Sequence, residues 1–217
     1  MSLNPVETYW IVIAGLRRSG KTTFMQGAAD AMTLRDNADM SVITPNQQQQ
    51  VMDWLSQTGS ALDPYRNEQS EDEQQFTRWA RRVSVGEIHV GSDLNVCLYE
   101  TPATRDFDFL WRVMTPDTYL GAVIVLDSTD HLAIRDASRL ASAFATYAKD
   151  APYIFAANKQ DEQRALSIAD IRTLLTFLDK HKVPIIPCNA TDVWSVKRTL
   201  IRLLELIRET YDDGIEW

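Results

Sequence analysis

One eight-residue stretch near the start of the chain constrains the fold more than any other feature. Residues Gly15–Thr22 read GLRRSGKT and match the pattern GxxxxGK[ST] at each defined position. Residues 9–14, directly before it, are apolar and predict a buried strand, and residues 23–29 predict a helix. The glycines let backbone N–H groups converge without a Cβ in the way, and the helix turns its positive dipole end toward them. Strand, loop and helix in this order predict a site for phosphate groups.

Side chains of the same stretch extend the prediction to a nucleotide and its metal ion. Lys21 can reach the β- and γ-phosphates, and Thr22 can offer its hydroxyl to Mg²⁺. The residues predicted to contact the nucleotide here are Gly15, Arg18, Ser19, Gly20, Lys21, Thr22 and Thr23.

Composition and charge limit what else the chain can be. Its 217 residues are 45% hydrophobic and 24% charged, which predicts one domain over residues 1–217. The formal net charge of −8 argues against nucleic acid or an anionic membrane as the main partner, because both need basic surface. Cys97 and Cys188 lie in apolar runs and are predicted to be buried, reduced thiols. Because we see neither a secretory leader nor a membrane-length apolar run, we expect a cytoplasmic protein without direct membrane insertion.

The rest of the chain alternates strands with helices, apart from residues 34–82. Residues 83–90 and 94–100 predict an antiparallel hairpin with a bulge at Gly86, where the apolar alternation slips. The later predicted strands are 121–127, 153–157 and 183–188, and the later predicted helices are 131–149, 167–181 and 192–211. In the first of these helices, Leu132, Leu140, Phe144 and Tyr147 are expected to face inward.

This pattern predicts an α/β fold of three layers. Apolar strands separated by amphipathic helices indicate a mostly parallel sheet of six strands, covered on both faces, with one antiparallel edge strand. A ligand of such a sheet lies beyond the carboxyl ends of the strands. Gly15, Glu100, Asn158 and Cys188 are therefore expected around one pocket. The long segment 34–82 is expected to be an insertion with two short amphipathic helices.

A second motif identifies the base. Residues Asn158–Asp161 read NKQD at the end of a predicted strand. The carboxylate of Asp161 can accept from both N1–H and the N2 amino group of guanine, a bidentate pair that adenine cannot form. Lys159 can lay its aliphatic stem over the base, Asn158 can join this loop to the phosphate loop, and the backbone N–H of Ala190 can point at the guanine O6. The predicted nucleotide is therefore GTP or GDP.

These motifs, in this order, resemble the Ras-like small GTPases. The phosphate loop is similar to that of the Rag GTPases, while residues 98–127 and 187–206 are similar to bacterial GTPases of the MglA type and to the conservon GTPases of actinobacteria. The resemblance implies the small G-protein form of the P-loop NTPase fold and a GTP/GDP switch. It also implies protein regulators or effectors, which in bacteria are commonly roadblock-domain proteins.

The chain departs from this family where the third strand ends. Small GTPases carry DxxGQ there, whereas this chain has Glu100 in place of the aspartate, Ala103 in place of the glycine and Thr104 in place of the glutamine. Glu100 keeps the charge needed near Mg²⁺, and Ala103 keeps a backbone N–H for the γ-phosphate. The first switch offers a threonine hydroxyl to Mg²⁺, for which Thr77 is the nearest candidate and Thr58 and Thr44 are the alternatives.

The replaced glutamine predicts slow GTP hydrolysis. A short hydroxyl at Thr104 cannot orient the attacking water as a carboxamide does. Arg17, Arg18 or Arg105 could supply a catalytic arginine in cis, although Arg17 occupies a position where many relatives have glycine. The alternative is a module that holds GTP or GDP and hydrolyses neither. A P-loop kinase or ATPase is disfavoured by the guanine motif.

Overall fold

The computed structural model describes residues 7–33, 85–90, 94–100, 119–147, 151–175 and 183–211. The strands in these ranges are β1 Glu7–Gly15, β2 Val85–Val90, β3 Leu94–Glu100, β4 Tyr119–Asp127, β5 Tyr153–Asn158 and β6 Ile185–Pro187. The helices there are α1 Lys21–Thr33, α2 His131–Tyr147, α3 Ile168–Leu174 and α4 Val193–Tyr211. The predicted insertion at 34–82 lies outside the described residues, as does the run 101–118 that follows β3.

The six strands form one sheet in the order β2-β3-β1-β4-β5-β6. β1 pairs in parallel with β3 and β4, and β5 pairs in parallel with β4 and β6. β2, at the edge, runs antiparallel to β3. Because the parallel strands point the same way, the segments that follow them leave from one edge of the sheet. The predicted α/β class is confirmed.

The bulge predicted at Gly86 is wrong. The pairing of β2 with β3 runs without a shift from Val85 opposite Tyr99 to Val90 opposite Leu94. A bulge needs an extra residue between two ladder bonds, and a break in apolar alternation does not insert one. The sheet is irregular instead between β1 and β4, where the register shifts after Trp10.

Both faces of the central strands are buried, as a sheet covered on both sides requires. On one face, Ile13 of β1 packs in the same core cluster as Phe24 of α1 and Leu203 of α4. On the other face, the rings of Phe144 in α2 and Tyr153 in β5 lie with their centroids 4.9 Å apart. The two helix layers therefore hold the strands, and with them the strand ends, in fixed positions.

Helix α2 corrects one predicted core position. Leu140 and Phe144 are fully buried, as expected, but Leu132 is 72% exposed, so its inward placement is wrong. The buried stripe starts at Ile134, and a step of two residues carries a side chain to the opposite side of a helix. Apolar character alone therefore misassigned the face of the first turn.

Helix α3 is shorter than predicted. Its Ser167 cap accepts a hydrogen bond from the backbone N–H of Asp170, and the helix ends at Leu174 because Leu175 leaves helical backbone angles with φ −105° and ψ 50°. The remainder of the helix predicted to residue 181 lies almost entirely outside the described residues. Across the described part of the chain, no helix is both long and apolar enough to cross a membrane.

Candidate functional site

The ends of the parallel strands bring the predicted motifs to one edge of the sheet. In the register, Gly15 lies opposite Val125 near the end of β4, and Asp127 lies opposite Asn158 at the end of β5. Glu100, the last residue of β3, lies opposite Ile13. The loop Gly15–Thr22 and the loop that starts at Asn158 are thus neighbours across β4.

The backbone of the phosphate loop requires its two glycines. Gly15 has φ 151° and Gly20 has φ 95°, values that side-chain-bearing residues rarely adopt. A Cβ on Gly15 would lie 2.4 Å from the carbonyl oxygen of Val125. Between the glycines, Arg17 and Arg18 are exposed, and Arg18 adopts the left-handed φ of 67° despite its side chain. The loop therefore has the tight turn that a backbone cradle for phosphate needs.

Lys21 lies inside this loop rather than in solvent. Its side-chain ammonium Nζ donates to the carbonyl oxygen of Leu16 at 3.0 Å, and the residue is buried. Burial lowers the pKa of Lys21, and the carboxylate of Glu100 partly opposes this shift. An ammonium held at low exposure in a tight loop at the start of a helix favours an anionic ligand.

Thr22 and Glu100 form the part of the site that suits a divalent cation. The Thr22 hydroxyl donates to Glu100 Oε1 at 2.7 Å, and the contact is open to solvent. A hydroxyl and a carboxylate side by side are oxygen ligands of the kind Mg²⁺ takes beside phosphate groups. The residues present therefore fit the metal. Thr77, the third predicted ligand, lies outside the described residues.

Asn158 joins three loops through one side chain. Its amide Nδ2 donates to the carbonyl oxygen of Ser19 at 2.8 Å, and its Oδ1 accepts from the backbone N–H of Ala190 at 2.8 Å. The residue is only 3% exposed. A Cβ on Gly20 would lie 2.2 Å from Asn158 Nδ2, so the phosphate loop and the base loop are packed directly on each other. The contact predicted between Asn158 and the phosphate loop is confirmed.

The remaining residues of the base motif differ in exposure and contacts. Lys159 adopts a left-handed φ of 66° and its ammonium pairs with the carboxylate of Asp127. Asp161 is exposed, and within the described ranges its carboxylate has no hydrogen-bond partner. That carboxylate is therefore available to a ligand, whereas the Lys159 ammonium is already held.

Asp127 was not among the predicted site residues. Its Oδ1 accepts from the backbone N–H of Thr129 at 3.0 Å and from the Thr129 hydroxyl at 2.7 Å, and its Oδ2 accepts from Lys159. Burial raises the pKa of Asp127, but these hydrogen bonds and the Lys159 charge outweigh burial, so the pKa is lowered overall. The only signal in the sequence is a carboxylate at the end of an apolar strand that finishes at the ligand edge.

The loop after β6 is bound into the same network. The backbone N–H of Ala190, which was predicted to point at guanine O6, donates to Asn158 Oδ1. The contact of Ala190 with guanine stays a prediction. The backbone N–H of Gln160 donates to the carbonyl oxygen of Cys188 at 3.2 Å. Burial raises the pKa of the Cys188 thiol, which agrees with the predicted buried, reduced cysteine.

Three predicted residues near the γ-phosphate lie outside the described residues: Ala103, Thr104 and Arg105. Glu100 is the described residue that precedes them. Their contacts with nucleotide and water remain predictions.

Comparisons with known proteins show the fold of this chain. No protein-family model matches the sequence, and no curated protein sequence matches it. Among solved structures, the chain is similar to the Arl6 BBS3 small GTPase from Trypanosoma brucei with the bound nucleotide analogue GppNp. The TM-score is 0.60 at 16% identity, over 94% of this chain and 99% of that chain. The chain therefore has the α/β fold of a small GTPase.

Proposed function

We propose that this chain is a guanine-nucleotide-binding switch that takes GTP or GDP together with Mg²⁺. The observation that carries the proposal is the double hydrogen bond of Asn158, which joins the phosphate loop, the NKQD loop and the loop after β6. Those three loops are the ones that a nucleotide must contact at its phosphates and at its base. The similar Arl6 protein was solved with the nucleotide analogue GppNp bound, which supports a guanine nucleotide as the ligand.

Base selection rests on the exposed carboxylate of Asp161. It accepts two hydrogen bonds from guanine, and adenine would leave it unpaired. Wild-type protein is expected to bind GDP much more tightly than ADP in calorimetric titration. Asp161→Asn should shift the preference toward xanthosine diphosphate. Glu162→Gln, an exposed neighbour, is the matched control and should leave the preference unchanged. Equal affinity of the wild type for ADP and GDP would overturn the proposal.

The phosphates and the metal ion bind at the end of the site opposite the base. Backbone N–H groups of Gly15–Thr22 and the ammonium of Lys21 bind the phosphate oxygens, and Thr22 and Glu100 hold Mg²⁺. The ion, when bound, neutralises charge on the β- and γ-phosphates. Thr77 is proposed as a further ligand and Ala103 as a backbone donor to the γ-phosphate.

Hydrolysis is proposed to be slow. Thr104 replaces the glutamine that orients water in the resembling family, and Arg17 or Arg105 is the candidate for a catalytic arginine in cis. The resemblance to MglA-type and conservon GTPases supports a cytoplasmic, bacterial signalling role with a protein regulator, for which a roadblock-domain protein is the first choice to test. A single-turnover assay with radiolabelled GTP, with and without such a partner, measures the rate.

A non-hydrolysing GTP- or GDP-bound interaction module is the second candidate. It is favoured by the altered run that begins at Glu100, which keeps a metal-binding charge while the glutamine is absent. Copurified nucleotide, identified by mass spectrometry, separates the two candidates together with the turnover assay. A protein isolated with GTP that it does not cleave, even with its partner, is such a module. Any cleavage that Lys21→Ala abolishes makes it a GTPase.

A further inference from the structure

The base loop contains an ion pair that the nucleotide contacts do not require. The ammonium of Lys159 is bound to Asp127 Oδ2, although Lys159 belongs to the NKQD motif and Asp127 lies 32 residues earlier in the chain. The Asp127 side chain is only 11% exposed, whereas the Lys159 side chain is 29% exposed. The acid is thus the fixed partner and the lysine is the one at the site surface.

Two further contacts hold the Asp127 carboxylate in place. The backbone N–H and the hydroxyl of Thr129 both donate to Oδ1, which leaves Oδ2 for Lys159. The backbone N–H of Ser128 donates to the carbonyl oxygen of Asn158 at 3.0 Å, so the two strand ends are joined beside the pair. A carboxylate that already accepts two hydrogen bonds from Thr129, on a strand end joined to the one that carries Lys159, offers the lysine one position rather than several.

The backbone of Lys159 lies in the left-handed region. Its φ of 66° is a conformation that costs a side-chain-bearing residue about 1–2 kcal/mol. Apart from Asp127, the nearest carboxylate to Lys159 along the chain is that of Asp161, two residues away. A Lys159–Asp161 pair would cover the acid that reads the guanine edge. Within the described residues, Asp161 instead has no partner.

We infer that Asp127 is a positioning residue for base recognition, since it holds the Lys159 ammonium away from Asp161 and keeps the lysine stem in place against the base. This inference rests on the proposed guanine-nucleotide site. Asp127 itself does not contact the nucleotide. It acts through Lys159, which supplies an apolar surface, and through Asp161, which stays unpaired for guanine.

The test measures the dissociation rate of fluorescent GDP from Asp127→Asn. The asparagine keeps the volume and can still accept from Thr129, but its amide offers Lys159 no negative charge. Dissociation is expected to accelerate about 10-fold, the effect of losing one hydrogen bond between charged groups. Asp136→Asn, an exposed acid on α2, is the matched control and should dissociate at the wild-type rate.

A double-mutant cycle separates positioning from general structure. Lys159→Met keeps an apolar stem and removes the charge, so Asp127→Asn added to it should change the dissociation rate by less than about 2-fold. If the two effects multiply instead, Asp127 acts independently of Lys159 and the inference is overturned. Thr129→Val removes one donor to Asp127 and should accelerate dissociation about 2- to 3-fold, and it gives the same test if Asp127→Asn fails to fold.

A failure of the proposed function gives a different result from a failure of the inference on Asp127. If the wild type binds no GDP, the guanine site itself is wrong. If the wild type binds GDP and both Asp127→Asn and Thr129→Val release it at the wild-type rate, only the inference on Asp127 is wrong. A guanine-over-adenine preference that falls in Asp127→Asn, and not in Asp136→Asn, supports the release of Lys159 onto Asp161.

Discussion

The base side and the phosphate side of this site are built by different means. On the base side, buried side chains make the contacts: Asn158 bridges three loops, and Asp127 holds Lys159. On the phosphate side, the shape comes from glycine backbone angles, and the outward side chains of Arg18 and Thr22 are exposed. The base side is therefore formed by contacts that also stabilise the fold. The phosphate side presents a backbone cradle whose outer side chains contribute little to stability.

The largest expected effect is a difference in the free energy of unfolding between a variant of Asn158, on the base side, and a variant of Thr22, on the phosphate side. Asn158→Ala leaves the Ser19 carbonyl and the Ala190 N–H buried without partners, and should lower the free energy of unfolding by about 3 kcal/mol. Thr22→Ala removes an exposed hydrogen bond and should cost less than about 0.5 kcal/mol. Urea denaturation of nucleotide-free protein measures both. Equal losses in the two variants would contradict the contrast.

A smaller effect on the free energy of unfolding is expected at Gly20, where the phosphate loop contacts Asn158 of the base loop. Gly20→Ala forces a side chain into φ 95° and brings its Cβ to 2.2 Å from Asn158 Nδ2, which should cost about 2 kcal/mol of unfolding free energy. In an Asn158→Ala background the clash is gone and only the backbone strain remains, so the added cost should fall by about half. Thermal and urea unfolding of the four proteins measure this coupling. Strict additivity would mean that the loops do not support each other.

Two cationic residues with strained backbones extend the comparison, Arg18 on the phosphate side and Lys159 on the base side. Arg18 and Lys159 have nearly the same left-handed φ, 67° and 66°. Arg18→Gly relieves strain without losing a side-chain contact among the described residues, and should raise the free energy of unfolding by about 0.5–1 kcal/mol. Lys159→Gly also loses the Asp127 ion pair, and should give no gain. Urea denaturation of both variants measures the two changes in the free energy of unfolding. Stabilisation by both variants would show that the ion pair contributes nothing.

The smallest effect is confined to acid pH. The pKa of Asp127 is lowered in the folded chain, so its contribution to stability is present above the pKa of the unfolded state, 3.8, and is lost as the pH falls through the lower folded value. Between pH 5 and pH 3, unfolding free energy should therefore fall more steeply in the wild type than in Asp127→Asn. Parallel denaturation curves across this range would contradict the shift.

Local patterns predicted much of the site and of the fold. The phosphate loop and the NKQD loop were found because their chemistry depends on residues at fixed spacing within a few positions. The strands were found because buried parallel strands are apolar along their whole length. Leu132 and Gly86 were misjudged because the side of a helix turn and the count of residues in a ladder are not visible in apolar character alone.

The sequence by itself determined the tight loop at residues 15–22 and predicted that it binds phosphate, since two glycines and a lysine act through their own backbone and side chain. It also predicted that the carboxylate of Asp161 accepts from guanine. Only the tertiary structure decided that Asn158 joins three loops and that Asp127 holds Lys159. Those contacts depend on strand order, which puts β4 between the phosphate loop and the base loop, and on the register that sets Asp127 opposite Asn158. Residues far apart in the chain meet only once the sheet has formed.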